Sequence, residues 1–218
     1  MVAAGMLDAG HAPTIVNDRY RGLASQLVAE ASQLHGGYAV GVSSASHGEG
    51  VTNTIANLAV SAAGLAESPI LLIDFNGDPG LERFLGAAQS DEFDEAELEQ
   101  VEAHDNAAQL TSIPNLYHIT GDFNNSQQDA RGWDALLDDA KRDFSLVLLD
   151  LPPVAELSSQ TASFGSLDGI LMVIEAGRSR QKAVLRAKSL LERMGIRPLG
   201  VVLNKRKTFV PDWIYNKV

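Results

Sequence analysis

The chain has 218 residues, of which 45% are hydrophobic and 21% charged, a balance typical of globular domains that excludes wholesale disorder. It contains no cysteine, which excludes a disulfide framework and thiolate chemistry. Acidic residues outnumber basic ones, 28 to 17, giving a formal net charge of −11. Because binding to phosphate backbones needs clustered cations, we expect no nucleic-acid partner.

The composition of the chain suggests where the folded domain begins and ends. Residues 1–16 are small and mixed, and we expect a flexible N-terminal segment there. They show no basic patch followed by an apolar core, so no signal peptide is expected. No run approaches the roughly 20 apolar residues of a membrane-spanning helix, and the expected location is cytoplasmic. We expect a folded domain over residues 17–208 and a C-terminal tail over 209–218.

Hydrophobic periodicity divides the folded part into short apolar strands and helices. The predicted helices cover residues 18–34, 52–66 and 180–194. The predicted strands cover residues 38–43, 70–73, 144–149, 169–175 and 200–203. Asn17 or Asp18 is the expected cap of the first helix, and Leu34 is the last residue of its apolar face. Gly36-Gly37 is expected to end this helix.

Continuously apolar strands that alternate with helices are typical of a parallel sheet covered on both faces. The predicted fold is therefore α/β, with three layers and a mostly parallel, doubly wound sheet. One biased segment, 91–105, carries eight acidic side chains. A solvated face is the favoured interpretation of that segment, and an acidic docking surface is the alternative.

The segment 43–54, SSASHGEGVTNT, follows a predicted strand and opens a predicted helix. Gly48 and Gly50 allow backbone N–H groups to converge on an anion, and the helix adds the partial positive charge of its N-terminus. Thr52 stands where nucleotide-binding loops place a hydroxyl on Mg²⁺. The segment therefore predicts a nucleotide phosphate loop, with an ordinary tight turn as the alternative.

Two later strands each end in an aspartate, Asp74 and Asp150. Ligands of doubly wound sheets bind outside the carboxyl ends of the strands, where these carboxylates can hold a metal through water or activate an attacking group. Helix capping is the ordinary explanation for a single strand-end aspartate. Two of them beside a phosphate-type loop favour a functional site.

The order of motifs SSxxxGEGxT, NLA, LLIDxN, VLLDLPPV, DGILMVIEAG and GVVLN resembles that of the bacterial tyrosine kinases of capsule and exopolysaccharide synthesis. Those proteins lie within the MinD/ParA-like class of P-loop ATPases. The resemblance extends over residues 18–207, and it includes 112–121, which looks like the segment before the last helix that precedes the strand ending at Asp150. It implies a P-loop NTPase fold, a kinase-like domain over 17–208, and ATP or ADP with Mg²⁺ as weakly bound ligands. We expect no zinc, haem or flavin.

The resemblance also implies roles for individual residues. Those on the Walker A loop, which would bind the nucleotide, are Gly48, Glu49, Gly50, Val51, Thr52 and Asn53. Asp74 matches the aspartate that acts on the metal and as base, and Asp150 matches the Walker B aspartate that organises Mg²⁺ through water. Asn204 matches the asparagine that contacts adenine. Thr52, Asp74 and Asp150 are thus the implied metal-site residues.

Several positions depart from the family pattern. Val51 replaces the Walker A lysine, Asp78 stands in place of an arginine, and Asn76 in place of a second aspartate. The tail has only Tyr215 where the family has a tyrosine cluster. Because the lysine ammonium neutralises the phosphate oxygens during transfer, its loss is expected to cost at least about 10²-fold in rate.

A compensating cation is one alternative. His47 lies within the loop, Arg178 and Arg180 follow the fourth predicted strand, and a neighbouring subunit could supply a lysine. Ordinary surface roles are favoured for all three residues. At the other end of the domain, Trp213 and Ile214 follow a small basic patch. They are expected to pack back on the domain, with docking to a partner or membrane surface as the alternative.

Three functions follow as hypotheses. The preferred one is a degenerate kinase-like protein that acts as a cytoplasmic regulatory or scaffolding partner of an inner-membrane polysaccharide co-polymerase or export protein. The second is an active ATP-dependent tyrosine kinase or ATPase whose missing cation comes from elsewhere. The third, ranked lowest, is a MinD/ParA-like positioning ATPase. A homo-oligomer is compatible with each of them.

Overall fold

The computed structural model describes residues 18–34, 36–75, 77, 79–86, 108–120, 130–157 and 164–206. The helices within these ranges are α1 (Asp18–Gln33), α2 (Val51–Ala63), α3 (Pro79–Leu85), α4 (Ala130–Asp143), α5 (Val154–Leu157) and α6 (Gln181–Arg193). The strands are β1 (Tyr38–Ser44), β2 (Ile70–Asp74), β3 (Gln109–Leu110), β4 (Leu116–Thr120), β5 (Leu146–Asp150), β6 (Gly169–Glu175) and β7 (Pro198–Asn204).

The strands form one sheet in the order β3-β4-β2-β5-β1-β6-β7. Every neighbouring pair is parallel except β3 with β4. The chain starts at β1 near the middle, builds β2 and β5 on one side, and then crosses to β6 and β7 on the other. This is a doubly wound α/β sheet, and it confirms the predicted fold class. Its switch point lies at the carboxyl end of β1, where such folds bind ligands.

Both faces of the central strands are covered, which explains their continuously apolar sequences. All residues of β1, β2 and β5 are buried. Alternate side chains belong to two clusters, because successive residues of a strand point to opposite faces. One cluster joins Val40 and Leu72 to α1, α2 and α3, and the other joins Leu71 and Val147 to α4, α5 and α6.

The predicted strands and helices are all present, with shifts at their ends. The strand leading to Asp150 starts at Leu146, because the Phe144 N–H still bonds to Ala140 O at the end of α4. The second helix ends at Ala63, where the Gly64 N–H bonds to Val60 O. Leu34, which was expected on the apolar face of the first helix, is 48% exposed because α1 stops one residue earlier.

Some predictions fall on residues outside the described ranges. These are the flexible segment 1–16, the acidic segment 91–105, the tail 209–218, and the substituted motif positions Asn76 and Asp78. Among the helices that the structure does describe, none has both the length and the apolar character that a bilayer crossing requires.

Candidate functional site

The predicted loop and both strand-end aspartates lie at one edge of the sheet. Asp74 on β2 pairs in register with Asp150 on β5, and Asp150 pairs with Val42 on β1. The segment 45–50, called the phosphate loop below, connects β1 to α2. The topology therefore brings together the three features that the sequence singled out.

The phosphate loop depends on two glycines in left-handed conformation, Gly48 with φ 77° and Gly50 with φ 91°. Side-chain-bearing residues adopt this region at a cost, so glycine is favoured at both positions. At Gly50 a Cβ atom would also lie 2.2 Å from Nδ2 of Asn204. Gly50 is the N-cap of α2 and has no side chain that could occupy the amides of the first helical turn. These amides are suited to an anion.

Glu49 holds the loop from within. Its side chain is buried, and Oε2 accepts hydrogen bonds from Ala45 N at 2.9 Å and from Ser46 N at 3.1 Å. The Ser179 hydroxyl donates to Oε1. Glu49 was implied as a Walker A residue, and here its carboxylate binds the backbone at the start of the loop. Ser179, between the two arginines considered earlier, was missed because a contact so distant in sequence leaves no local pattern.

Asn204 closes the loop from the end of β7. Its Nδ2 donates to Glu49 O at 2.9 Å and lies 3.4 Å from Gly50 O, while Oδ1 accepts from Lys205 N at 2.8 Å. The side-chain amide thus fixes the last loop residues against the sheet. The adenine contact that the resemblance implies for Asn204 stays a prediction.

Position 51 provides no positive charge. Val51 is the first residue of α2, and its half-buried side chain packs against the apolar cluster formed with α1 and α2. One cation close to the loop is Lys205, whose Nζ lies 2.5 Å from Gly48 O and 3.1 Å from Oε2 of Glu175. Lys205 was missed as a site residue, although its position next to Asn204 was a usable signal. Its ammonium is engaged by a loop carbonyl and a carboxylate.

The three compensating cations proposed from the sequence lie at the surface. Nε2 of His47 contacts Oε1 of Glu156, and 76% of the His47 side chain is exposed. Arg178 lies 3.6 Å from Glu175 with 78% of its side chain exposed. Arg180 precedes α6 and is exposed as well. These contacts hold His47 and Arg178 to carboxylates at the rim of the loop.

The strand-end aspartates are both fully buried, and Oδ1 of Asp74 accepts a hydrogen bond from Gly77 N at 2.9 Å. Neighbouring strands lie about 4.8 Å apart, so the two carboxylates are close. Within the described ranges no group of three His, Cys, Asp or Glu residues is arranged to hold a metal. Two carboxylates and the Thr52 hydroxyl are oxygen donors of the kind Mg²⁺ uses when it keeps several waters and phosphate ligands. These three oxygen donors therefore fit Mg²⁺ bound together with a nucleotide. The lysine that would also contact the nucleotide phosphates is absent, because position 51 is a valine.

Comparisons with known proteins agree with this geometry. No family model matches the chain. The tyrosine-protein kinase CpsD of Streptococcus agalactiae serotype III (strain NEM316) is 30% identical over 70 residues, which are 32% of this chain and 30% of the relative. The match therefore spans less than a third of the length of that curated relative.

Solved structures match over more of the chain. The kinase domain of the Escherichia coli tyrosine kinase ETK has a TM-score of 0.61 at 19% identity, covering 95% of this chain and 88% of that one. The resemblance to the bacterial tyrosine kinases is confirmed. MinD of Pyrococcus horikoshii, solved with Mg-ADP, has a TM-score of 0.57 at 19% identity, covering 82% and 76% of the two chains. The chain therefore has the fold that these proteins share, and the predicted P-loop fold is confirmed.

Proposed function

We propose that this chain is a catalytically degenerate relative of the bacterial tyrosine kinases, with a regulatory or scaffolding role in exopolysaccharide synthesis and export. The main support is that a valine, Val51, occupies the position of the Walker A lysine. Its side chain packs on the apolar cluster at the start of α2, where the loop pattern calls for an ammonium group. A phosphate loop that keeps its glycines but lacks the lysine can bind a nucleotide weakly. It is poorly suited to phosphoryl transfer.

Charge explains why the valine at position 51 matters. A triphosphate gathers negative charge on its terminal oxygens as the phosphoryl group leaves, and the lysine of a phosphate loop neutralises part of it. Valine supplies neither charge nor a hydrogen-bond donor. The amides at the start of α2, Thr52, Asp74 and Asp150 are left to hold ATP or ADP with Mg²⁺. We therefore infer weak nucleotide binding and little phosphoryl transfer.

The partner and location follow from the family resemblance. The proposed partner is an inner-membrane polysaccharide co-polymerase or export protein, with this chain on the cytoplasmic side of the membrane. A homo-oligomer is compatible with that role. The net charge of −11 favours protein partners over nucleic acid.

Restoring the lysine tests the proposal. Isothermal titration with ATP and Mg²⁺ would compare the unaltered chain with Val51→Lys and with Val51→Met, which adds length without charge. We expect Val51→Lys to bind at least about tenfold more tightly than the unaltered chain, because one charge-assisted contact is worth about 1.4 kcal/mol or more. Val51→Met should bind as weakly as the unaltered chain. Tight binding by the unaltered chain, with no gain from Val51→Lys, would contradict the proposal.

A second candidate is an active kinase or ATPase, and the preserved pair Asp74 and Asp150 favours it. Their burial and register are what a metal-dependent enzyme needs. The missing cation would come from another residue or subunit. This candidate predicts nucleotide hydrolysis that either Asp74→Asn or Asp150→Asn abolishes. The MinD-like positioning ATPase ranks third, because the likeness to MinD concerns the fold alone.

A further inference from the structure

Basic side chains are concentrated in one part of this acidic chain. Residues 178–206 contain nine Lys and Arg side chains and one Glu, a net charge of +8, whereas the rest of the chain contains eight basic and 27 acidic side chains. The nine basic residues belong to α6, β7 and the residues that flank these two elements. All nine are exposed: Arg178, Arg180, Lys182, Arg186, Lys188, Arg193, Arg197, Lys205 and Arg206.

Carboxylates neutralise only some of these nine cations. Lys188 lies 3.6 Å from Glu192. Arg178 and Lys205 share the carboxylate of Glu175, at 3.6 Å and 3.1 Å. The other six form no ion pair with any residue that the structure describes. Because exposed ion pairs contribute only about 0–1 kcal/mol, carboxylates of another molecule can also compete for the three that are paired.

The strand edge beside these cations is open and apolar. β7 pairs with β6, and no described strand lies on its other side. None of its seven residues is charged. A register irregularity leaves Leu199 on the α1 and α2 side of the sheet, whereas Val201 pairs with Met172 of the cluster on the α6 side. Val201 and Leu203 are each 54% exposed. Exposed edges of this kind invite pairing with another strand.

An apolar groove of about 340 Å³ runs between β7 and α6. Its lining includes Val201, Lys188 and Leu185, and Leu185 is 54% exposed. Arg197 directly precedes β7 and Lys205 directly follows it, so cations lie at both ends of the strand as well as in the groove. The β7 edge, the groove and the nine cations are together called the basic β7 surface below.

We propose that the basic β7 surface binds an extended, acidic segment of a partner protein, which adds to β7 as a further strand. Main-chain hydrogen bonds to the edge provide affinity, apolar side chains on one face of the segment enter the groove, and its carboxylates contact the cations. The positive charge alone also suits an anionic bilayer or a nucleic acid. Neither of these has backbone groups that pair with a strand edge, so a peptide fits more of the surface. The proposal does not depend on nucleotide binding by the phosphate loop.

Fluorescence anisotropy with a model peptide tests the proposal on the full chain. The probe is a fluorescein-labelled decapeptide that alternates Glu and Val, and its control has the same composition with all Glu residues before all Val residues. We expect the alternating peptide to bind at least about tenfold more tightly than the block peptide, because only alternation places the valines on one face of a strand. Equal affinity for the two peptides, or no binding of either, would overturn the proposal.

Charge reversal locates the binding surface. Lys188→Glu combined with Arg197→Glu should weaken binding of the alternating peptide at least about tenfold, because both cations border the edge and the groove. Arg21→Glu combined with Arg142→Glu changes the net charge equally at exposed positions outside α6 and β7, and should weaken binding less than about threefold. Equal weakening in the two double variants would show non-specific attraction and contradict the proposal.

Hydrogen exchange tests the added strand itself. With saturating alternating peptide, we expect exchange of amides within 198–204 to slow at least about tenfold, because the edge gains backbone partners. Unchanged exchange would overturn strand addition. Binding to vesicles containing phosphatidylglycerol or to a DNA duplex, without peptide binding, would assign the surface to a bilayer or a nucleic acid instead. Self-association that the Lys188 and Arg197 reversal abolishes, without peptide binding, would assign it to a second copy.

Discussion

The hydroxyl of Ser179 donates a hydrogen bond to Oε1 of Glu49, joining residues 130 positions apart. Ser179 in turn accepts a hydrogen bond of 2.7 Å from Glu175 N, at the end of β6. With the other oxygen of its carboxylate, Glu49 accepts from the first two amides of the phosphate loop. The shape of the loop is therefore coupled to the connection between β6 and α6.

Removing the Glu49 carboxylate should destabilise the domain. Glu49→Ala leaves the part-buried amides of Ala45 and Ser46 and the Ser179 hydroxyl without their acceptor. Hydrogen bonds to charged groups are among the stronger ones. We expect a loss of about 2–4 kcal/mol in the free energy of unfolding, measured by denaturant titration.

Glu192→Ala is the control for that substitution, because it removes an exposed carboxylate 3.6 Å from Lys188. Exposed pairs contribute about 0–1 kcal/mol, so this variant should stay close to the unaltered chain. Equal losses for the two variants would show that Glu49 does not hold the loop.

The two glycines of the loop should tolerate alanine differently. Gly48→Ala meets no atom within 4 Å, so its cost is limited to the left-handed backbone, about 1–2 kcal/mol. Gly50→Ala carries the same backbone cost and also drives its Cβ to 2.2 Å from Asn204. We expect Gly50→Ala to have the lower melting temperature, and equal melting temperatures would contradict the contact with Asn204.

Much of the fold could be predicted from local sequence. The apolar runs ending at Asp74 and Asp150 identified strands β2 and β5, and their shared edge followed from parallel topology. Strand β4 was not identified as a strand, because LYHIT places His118 and Thr120 among its apolar residues and breaks the run. Helix α4 was implied only through the family resemblance. Its periodic signal is nevertheless present, since Trp133, Leu136, Leu137 and Ala140 are all buried.

Only part of the site could be predicted from the sequence. The phosphate loop is one continuous segment, whereas the contacts that hold it involve residues distant in the chain. Gly48, Gly50 and Thr52 lie in one motif, so their grouping could be predicted from the sequence. Glu49 with Ser179 and Lys205 with Gly48 join segments far apart in the chain. Side-chain identity does not show whether an acid such as Glu49 faces a ligand or its own backbone, because that depends on how the elements pack.

Stability should fall as the solution is acidified, partly because of His118. Burial lowers the pKa of this side chain to about 4, below the usual histidine value of 6.5. The unfolded chain takes up a proton at higher pH than the folded one, so this contribution is present above pH 6.5 and is lost as pH falls toward 4. Between pH 7 and 5 we expect a loss of about 2 kcal/mol that His118→Gln does not share. If the two proteins lose stability equally, His118 is not held neutral by the fold.

Tyr38 should ionise late in an alkaline titration. Its hydroxyl donates to Oε2 of Glu30 at 2.7 Å, and burial, followed by this hydrogen bond and the charge of Glu30, raises the pKa of Tyr38 to about 12. Because the folded pKa is raised, the contribution to stability is present below pH 10 and is lost as pH rises through 12. Absorbance titration should show a phenol near pH 12 that Tyr38→Phe removes and Glu30→Gln shifts lower. A phenolate unaffected by Glu30→Gln would contradict this coupling.

If the missing ammonium at Val51 prevents phosphoryl transfer, the purified chain should not turn over ATP. Phosphate release and autophosphorylation would be measured with Mg²⁺ for the unaltered chain and for Asp150→Asn, prepared identically to reveal contaminating activity. We predict equal, background-level rates for the two proteins. Brisk turnover by the unaltered chain that Asp150→Asn abolishes would contradict the loss of phosphoryl transfer and establish an active enzyme.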